Sequence, residues 1–367
     1  VGFPGEAEAE FQDTVGFIKK NKKYAQSIML NPLYLYIDSE MHNNKEKFGI
    51  VFTEGFDNNI YWRTVDNSNN YEERMRRLKI CKEIIGENVS TDLDKFSTKE
   101  KILKWHLHYS CQYRCPYCRL RGKWHQIKKL NTYLSPQEWM VHWKRLYDRY
   151  GSIRVEITGG EPFIYPDFIE LIKELSLIHK VKITTNMSGD IETFVREISP
   201  ERVNLDLNLH PLFVNDLDAY IKKVLLLKDA GFKIGVCYLA YPPQMARIDY
   251  FRKRIEEKGI NFALAAFWGE YGGKKYPESY TKEEIEFIRP LMGDIDRVVY
   301  HLEGESPKGK LCNAGYKYAV IQADGKVIRC GQLPDKIIKS FFSEDFYLLD
   351  KPEPCEADTC PCNEYIN

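Results

Sequence analysis

From residue 101 onward, the chain alternates between two hydrophobic patterns. Short runs rich in β-branched residues are separated by longer segments whose apolar residues recur every three to four positions, which is the spacing of one helix face. Strands are expected at Ile102–His108, Ile153–Thr158, Val181–Thr185, Val203–Leu209, Phe232–Leu239 and Ile260–Phe267. Because strands that alternate with helices form βαβ units, this order predicts an α/β fold with a parallel sheet.

The segments between the expected strands carry helix-start signals. Ser135 with Glu138, and Thr281 with Glu284, have the spacing of a capping box, in which a hydroxyl and a carboxylate satisfy backbone N–H groups at a helix start. Further helices are expected at about 167–179, 190–199, 215–230 and 244–258. In such folds the ligand-binding loops gather at the C-terminal ends of the strands.

The chain outside this region has a different character. Residues 1–95 begin with the helical pattern of Phe11, Val15 and Ile18 and end in a polar linker. The alternating strands and helices occupy 96–300, and 301–367 is rich in cysteine. We therefore predict three units with these bounds, since 367 residues are too many for one small domain.

Composition narrows the class of protein. Apolar residues make up 43% of the chain, which is enough for a substantial core, and 53 basic residues balance 53 acidic ones. This balance argues against a nucleic-acid binder or a binder of anionic membranes. No apolar run approaches the ~18 residues of a membrane span and no signal peptide is recognised, so we expect no membrane partner and a cytoplasmic location.

The chain has ten cysteines, and most of them are clustered. In a cytosolic protein, clustered cysteines are more often metal ligands or redox groups than disulfides. Three lie within residues 111–118 and five within 312–362. The other two, Cys81 and Cys237, fall in helical and strand patterns and are expected to be inert core residues.

The first cysteine group follows the first expected strand. Three thiolates on one loop, Cys111, Cys115 and Cys118, can each bind one iron of a cubane and leave the fourth iron without a protein ligand. An open iron lets a cofactor or substrate bind the metal directly. The alternative is a zinc site, with His106 or His108 as the fourth ligand.

A second motif follows the next strand, where Gly159-Gly160-Glu161-Pro162 comes directly after Thr158. Two glycines allow the backbone a close approach to a ligand, and the carboxylate of Glu161 can bind an ammonium group. An ordinary strand-to-helix turn is the alternative. The motif lies one βαβ unit after the cysteines, so both are expected at the same end of the sheet.

Together the two motifs resemble the signature of the radical SAM superfamily, which has three cysteines with an aromatic residue, here Tyr117, before the third, followed by Gly-Gly-Glu-Pro. The resemblance covers about residues 98–295. It implies a partial (βα)6 TIM-type barrel with a small cysteine-rich C-terminal extension. It also implies a [4Fe-4S] cluster on the three cysteines, S-adenosylmethionine on the open iron, and an electron donor such as flavodoxin or ferredoxin.

The resemblance further implies a reaction and a cofactor site. Reductive cleavage of S-adenosylmethionine gives a 5′-deoxyadenosyl radical that abstracts a hydrogen atom from the substrate. Asn186 lies where the family often has a Thr-Asn-Gly turn at the ribose, although Met187 replaces the glycine, and Asn208 lies where a polar ribose or carboxylate ligand is usual. Alternatively, His210 only caps the strand and Asn208 only binds a backbone group. The predicted cofactor-binding residues are Tyr117, Gly159, Gly160, Glu161, Pro162, Asn186 and Asn208.

The second cysteine group surrounds a predicted hairpin. Asp324-Gly325 is a hairpin-turn signal that would bring Cys312 and Cys330 to the base of one hairpin. With two of the remaining three they could form a closed [4Fe-4S] site or a Cys₄ zinc site. The order of Cys312, Gly325 and Cys330 resembles SPASM and twitch extensions, which implies one auxiliary cluster. The candidate ligands are Cys312, Cys330, Cys355, Cys360 and Cys362.

The predicted function is therefore that of a radical SAM oxidoreductase that oxidises or cross-links a peptide or a small molecule. Loops 241–244 and 267–276 are candidate substrate-binding loops, or surface loops that only pack on the extension. Residues 1–88 resemble the closing segment of a cobalamin-subgroup radical SAM barrel, and we expect the remnant of an upstream domain or an unrelated helical segment. The alternatives are a cobalamin-dependent methyltransferase and a non-enzymatic, zinc-stabilised protein.

Overall fold

The computed structural model describes residues 1–25, 28–35, 39–52, 62–86, 89–90, 100–292 and 298–360. The chain divides into two compact units, Val1–Lys99 and Glu100–Ile366. Of the predicted metal ligands, Cys362 lies outside the described residues. The three-unit division with bounds at residues 95 and 300 stays a prediction.

The first unit is built on two helices, Glu8–Asn21 and Tyr71–Ile85. Their apolar faces share a small core with Phe11, Val15 and the fully buried Cys81. The unit also contains helix Glu40–Asn43, the 3₁₀ turns Lys22–Tyr24 and Lys45–Phe48, and four short strands. These strands are β1 (Ile28–Met29), β2 (Ile50–Val51), β3 (Arg63–Thr64) and β4 (Val89–Ser90), with β1 parallel to β4 and β2 antiparallel to β3.

The second unit is organised around one large sheet. Its six parallel strands are β5 (Ile102–His108), β6 (Arg154–Gly159), β7 (Lys180–Thr185), β8 (Val203–Leu209), β9 (Lys233–Ala240) and β10 (Phe262–Ala266). They neighbour one another in chain order. All six strands predicted from the sequence are present, with ends that differ by at most two residues. This parallel sheet confirms the predicted α/β class and is consistent with a partial TIM-type barrel.

Helices connect the strands as predicted. They are Trp124–Ile127, Pro136–Tyr150, Phe168–Ile178, Ile191–Glu197, Leu217–Asp229, Ile248–Glu256 and Lys282–Ile288, with the π-helical turn Val298–Leu302 after them. The 3₁₀ turns are Lys128–Leu130, Pro162–Ile164, Pro242–Arg247 and Arg289–Leu291. Both capping boxes are formed: Ser135 Oγ accepts from the Glu138 amide at 3.3 Å, and Thr281 Oγ1 accepts from the Glu284 amide at 3.2 Å. Among the described residues, no helix is both long enough and apolar enough to cross a bilayer.

Alternate residues of each parallel strand face opposite sides of the sheet. On β5, Trp105 packs against Trp139 and Trp143 of helix Pro136–Tyr150, with ring centroids 4.7 and 5.1 Å apart. The other face of β5 to β8 carries polar side chains, and these continue to the C-terminal ends of the strands. Lys182 of β7, for example, forms a 2.7 Å ion pair with Asp206 of β8 on that face. The helix-facing side is therefore the apolar core, and the opposite side is available for a polar site.

The remaining strands belong to loops and to the C-terminal extension. They are β11 (Gly269–Tyr271), β12 (Lys274–Tyr276), β13 (Leu311–Cys312), β14 (Tyr318–Ile321), β15 (Lys326–Ile328), β16 (Ile337–Ser340) and β17 (Glu353–Pro354). The predicted hairpin is formed by β14 and β15, and β14 also pairs in parallel with β5. The large sheet therefore has nine strands within the described residues, in the order β10-β9-β8-β7-β6-β5-β14-β15-β16.

Candidate functional site

A cavity lies at the C-terminal ends of β5 to β8, where the polar face of the sheet meets the cysteine loop. Six of the seven predicted cofactor-binding residues line it together with the three cysteines of the first group. The seventh, Pro162, starts the 3₁₀ turn that follows. The lining includes Cys111, Cys115, Cys118, Tyr117, Gly159, Gly160, Glu161, Asn186, Asn208 and His210. The fold thus brings together residues that are up to 99 positions apart, from Cys111 to His210.

The three thiols of the first group lie close enough together to affect one another's ionisation. Burial raises the pKa of Cys111 and Cys118 and raises the pKa of Cys115 to about 12, and neighbouring thiolates in the group add to the rise for Cys111 and Cys115. Three thiolates that repel one another in a buried loop need a cationic partner to stay deprotonated. An iron–sulfur cluster supplies such a partner, so the donor set fits the predicted cofactor.

Of the two histidines considered for a zinc site, His108 has partners at both ring nitrogens, and His106 Nδ1 lies 3.4 Å from Tyr109 OH. His108 donates from Nε2 to the Glu161 carbonyl at 2.9 Å, and its Nδ1 accepts from the Ser110 amide at 3.2 Å. Burial lowers the pKa of His108 to about 4 and, with the charges of Lys104 and Arg119, lowers that of His106 to about 3. Both ring nitrogens of His108 are therefore occupied.

The two glycines allow a close approach between two loops. A Cβ on Gly159 would lie 2.3 Å from the His108 carbonyl oxygen, and one on Gly160 would lie 1.8 Å from the Ser110 carbonyl oxygen. The Gly160 amide donates to the His108 carbonyl at 2.6 Å. The Glu161 amide donates to the Ser110 carbonyl at 2.9 Å. The glycine motif is thus held directly against the start of the cysteine loop.

Glu161 is 2% exposed and its carboxylate binds the turn after β7. It accepts from Thr185 Oγ1 at 2.7 Å, from the Asn186 amide at 2.7 Å and from the Phe163 amide at 3.2 Å. Burial raises the pKa of Glu161, and the three donors partly offset that rise. The role expected from the sequence, binding of an ammonium group, stays a prediction, and the structure adds a contact to the neighbouring turn.

This turn holds Asn186 beside the cysteine loop, with Asn186 Nδ2 3.9 Å from Cys111 Sγ. The next residue, Met187, has φ +64°, in the left-handed region that favours glycine. Its amide donates to Thr185 Oγ1 at 3.0 Å. The turn therefore keeps the backbone geometry that a glycine would suit, even though the side chain is methionine.

His210 lies in the cavity, where Tyr117 OH is 3.0 Å and Cys115 Sγ is 3.7 Å from its Nδ1. Burial lowers the pKa of His210 to about 4, so its ring is neutral and can accept from the tyrosine hydroxyl. The His210 and Tyr117 rings stack with centroids 5.8 Å apart. The alternation of β8 places Asn208 and His210 on one face, and both line the cavity, as the sequence pattern allowed.

The second cysteine group lies at the other end of β5. Cys312, Cys330 and Cys355 pack in one apolar cluster with Tyr318 and Ile102. Burial raises the pKa of Cys312 to about 11, and the neighbouring thiols of Cys355 and Cys330 add to the rise. Cys360 is half-buried outside this cluster. The structure thus brings together three of the four predicted ligands that it describes.

The two candidate substrate loops adjoin the first site. Residues 267–276 contain the β11–β12 hairpin. Tyr241, which follows β9, has its ring 5.1 Å from that of Tyr117 and 5.3 Å from that of Tyr271. These loops therefore form an aromatic wall beside the cysteine cavity.

Part of the chain is similar to a known protein family. Residues 106–262 match the model of the Radical SAM superfamily. The chain is 28% identical over 165 residues to GTP 3′,8-cyclase of Aquifex aeolicus (strain VF5), a match that covers 39% of this chain and 49% of the cyclase. The chain therefore spans about half the length of that relative.

Two further matches are longer. The chain is 23% identical over 298 residues to the antilisterial bacteriocin subtilosin biosynthesis protein AlbA of Bacillus subtilis (strain 168), covering 71% of this chain and 64% of AlbA. A solved structure of histidine-tagged anSMEcpe with bound AdoMet superposes with a TM-score of 0.50 at 14% identity, covering 67% of this chain and 75% of that one. That likeness supports the fold. The family match begins at residue 106, so the cobalamin-subgroup resemblance of residues 1–88 stays a prediction.

Proposed function

We propose that this chain, whose residues 106–262 match the model of the Radical SAM superfamily, is an enzyme that cleaves S-adenosylmethionine reductively and abstracts a hydrogen atom from a peptide substrate. A [4Fe-4S] cluster on Cys111, Cys115 and Cys118 would supply the electron for that cleavage. The observation that carries the proposal is the cavity in which these thiols meet the glycine motif, Asn186 and Asn208.

The residues around the thiols would orient the cofactor and limit water. Glu161 fixes the turn that holds Asn186, and Tyr117 with His210 forms a stacked wall on the other side. A carbon radical attacks almost any C–H bond, so a closed and dry cavity is needed. The half-buried and buried positions of the three cysteines fit that need.

A peptide is proposed as the substrate because AlbA, a protein of bacteriocin biosynthesis, matches over most of this chain. The aromatic wall formed by Tyr117, Tyr241 and Tyr271 gives such a substrate a surface beside the cavity. The net reaction would be oxidation or cross-linking, with flavodoxin or ferredoxin as electron donor. The second candidate substrate is a small molecule, which the cyclase match favours.

We also propose one auxiliary [4Fe-4S] cluster on Cys312, Cys330 and Cys355, with Cys360 or Cys362 as the fourth ligand. Its proposed role is to accept an electron from the substrate radical or to anchor the substrate. Analysis of anaerobically reconstituted protein should give about eight irons per chain for two cubanes. About four irons would contradict the auxiliary cluster, and zinc alone would favour the non-enzymatic alternative.

The central experiment is Cys115→Ala in the reconstituted full chain. With dithionite and S-adenosylmethionine, the wild type should form 5′-deoxyadenosine and the variant should form none. Cys81→Ala, which changes a buried cysteine of the first unit, is the matched control and should retain the activity. Deoxyadenosine formation by the Cys115 variant would refute the proposal, and a corrinoid absorption band would favour the methyltransferase.

A further inference from the structure

The extension contains a buried cation that the proposed function does not use. We infer that Arg329 is a positioning residue for the auxiliary cluster: it joins the three cysteine segments and places a positive charge beside their thiolates. This inference rests on the auxiliary cluster of the proposed function. Arg329 is 4% exposed and directly precedes Cys330.

The guanidinium of Arg329 binds the backbone of both other cysteine segments. Its Nε donates to the Ala314 carbonyl at 2.8 Å, two residues after Cys312. Its Nη2 donates to the carbonyls of Glu353 at 2.7 Å and Pro354 at 3.1 Å, directly before Cys355. One planar group therefore connects all three segments that carry packed cysteines.

A lysine could not make this set of bonds, because its ammonium group lacks the rigid fork of donors of a guanidinium. In a loop-rich extension with short strands, β13 and β17 pair over only two residues each. The Arg329 contacts therefore add three hydrogen bonds to the backbone bonds of these segments, which run from the Gly309 amide to the Cys355 carbonyl and from the Cys355 amide to the Lys310 carbonyl. Loss of the Arg329 bonds should separate the thiols and make the site less able to retain a cluster.

The charge of Arg329 also needs a counter-ion. Its carboxylate partner is Glu353 Oε2, 3.3 Å from Nη1, and that side chain is 46% exposed. A buried cation is costly unless anions compensate it, and a thiolate-bound iron–sulfur cluster is such an anion. Because reduction adds a negative charge, the nearby cation should make the cluster easier to reduce.

The test uses the full chain with Cys111, Cys115 and Cys118 replaced by alanine, so that only the auxiliary site can hold iron. Three changes are compared in this background: Arg329→Gln, Arg329→Lys and Lys336→Met. Lys336 is the matched control, because it forms a 2.8 Å ion pair with Glu356, one residue after Cys355, but both side chains are 51% exposed. The readouts are iron and sulfide per chain, the midpoint potential of the electron paramagnetic resonance signal, and alkylation rates of the apo-protein thiols.

Arg329→Gln should lose half or more of its iron and shift the remaining signal to a more negative potential. Because alkylation depends on the thiolate fraction as well as on access, the positioning effect is measured in Arg329→Lys, which keeps the charge and should raise the apo-protein alkylation rate several-fold. Arg329→Lys should keep a midpoint potential close to that of the wild type, because it keeps the positive charge. Its iron content should be reduced, because it loses the guanidinium donors that bind the carbonyl groups. Lys336→Met should match the wild type in all three readouts. The alkylation rate needs no cluster, so it reports on positioning even if a variant retains no iron.

Two results would overturn the inference about Arg329. One is an Arg329→Gln protein with the iron content and midpoint of the wild type, together with an Arg329→Lys protein that has the wild-type alkylation rate. The other is an Arg329→Lys protein whose midpoint shifts as far as that of Arg329→Gln, since the charge would then have no effect. If the parent background itself holds no iron, the auxiliary cluster fails together with this inference, whereas the Cys115 test of the first site is unaffected.

Discussion

Replacing Glu161 with glutamine tests how the glycine motif and the turn after β7 depend on each other. The change is isosteric and removes one of two acceptor oxygens. Oε1 accepts from Thr185 and Phe163, and Oε2 accepts from the Asn186 amide. A glutamine oriented to keep the first two bonds presents its NH₂ group to the Asn186 amide, which is then a buried donor without an acceptor. Such a donor costs about 1–3 kcal/mol.

Thermal unfolding of the apo-protein measures this cost. A loss of about 2 kcal/mol should lower the Tm of the second unit by roughly 4–8 °C, since 1 kcal/mol corresponds to about 2–4 °C in domains of comparable size. Glu286→Gln is the control, because Glu286 is an exposed carboxylate beyond the first turn of helix Lys282–Ile288 and should leave the Tm unchanged. Thr185→Val combined with Glu161→Gln should cost less than the sum of the single changes by about 0.5–3 kcal/mol, because the residues share a bond.

Binding of S-adenosylmethionine to the reconstituted protein separates the two roles of Glu161. If the carboxylate acts by holding the turn, the affinity for S-adenosylmethionine and the Tm should fall together. Each 1.4 kcal/mol lost from the binding free energy would weaken binding about tenfold. If it binds the cofactor's ammonium group instead, affinity should fall while the Tm stays constant. A variant with both the wild-type Tm and the wild-type affinity would refute the role of Glu161 altogether.

Two further predictions concern the same unit. Gly160→Ala should displace the cysteine loop, because its Cβ would lie 1.8 Å from the Ser110 carbonyl oxygen; we expect a loss of ~1–3 kcal/mol in unfolding free energy and poorer iron retention. Gly235→Ala, whose Cβ would be 3.8 Å from its nearest neighbour, should do neither, and equal behaviour of the two variants would contradict the explanation. Burial lowers the pKa of His179 to about 4 from 6.5, so its stabilising contribution is complete above pH 6.5 and is lost as the pH falls toward 4. The slope should be at most ~1.4 kcal/mol per pH unit and should shrink in His179→Gln, as urea unfolding at several pH values can show.

The parallel strands were predictable because each one carries its own local pattern of apolar residues. The nine-stranded sheet was not, because β14 pairs with β5, and Tyr318 opposite Ile102 is 216 residues away along the chain. Nothing in either segment specifies that partner. The β11–β12 hairpin was predicted only as a loop, although Gly272-Gly273 between its strands is a turn signal that could have identified it.

The candidate site also contains residues that the sequence predicts and residues that it does not. The cysteines and glycines were found because their chemistry requires specific residue types at fixed spacings. The hydrogen bond from the Asn186 amide to Glu161 was not predictable, since every residue except proline has a backbone N–H and a backbone donor leaves no sequence signal. For the same reason Arg329, whose main partners are carbonyl groups, was indistinguishable from any other basic residue.

The position of the second cysteine group constrains its proposed roles. These cysteines pack around Ile102 at the start of β5, whereas the first group follows His108 at its end, six residues further along. At about 3.3 Å per residue this places the two groups roughly 20 Å apart. A substrate anchored on an auxiliary iron would have to span that distance, less the length that the cofactor itself occupies, to present a C–H bond to the radical. An extended peptide of about six residues covers roughly 20 Å, at about 3.3–3.6 Å per residue, and a small molecule would need an elongated shape to do the same. The anchoring role therefore favours a peptide or an elongated small molecule, and identification of a compact small-molecule substrate would leave the auxiliary cluster only the role of electron acceptor.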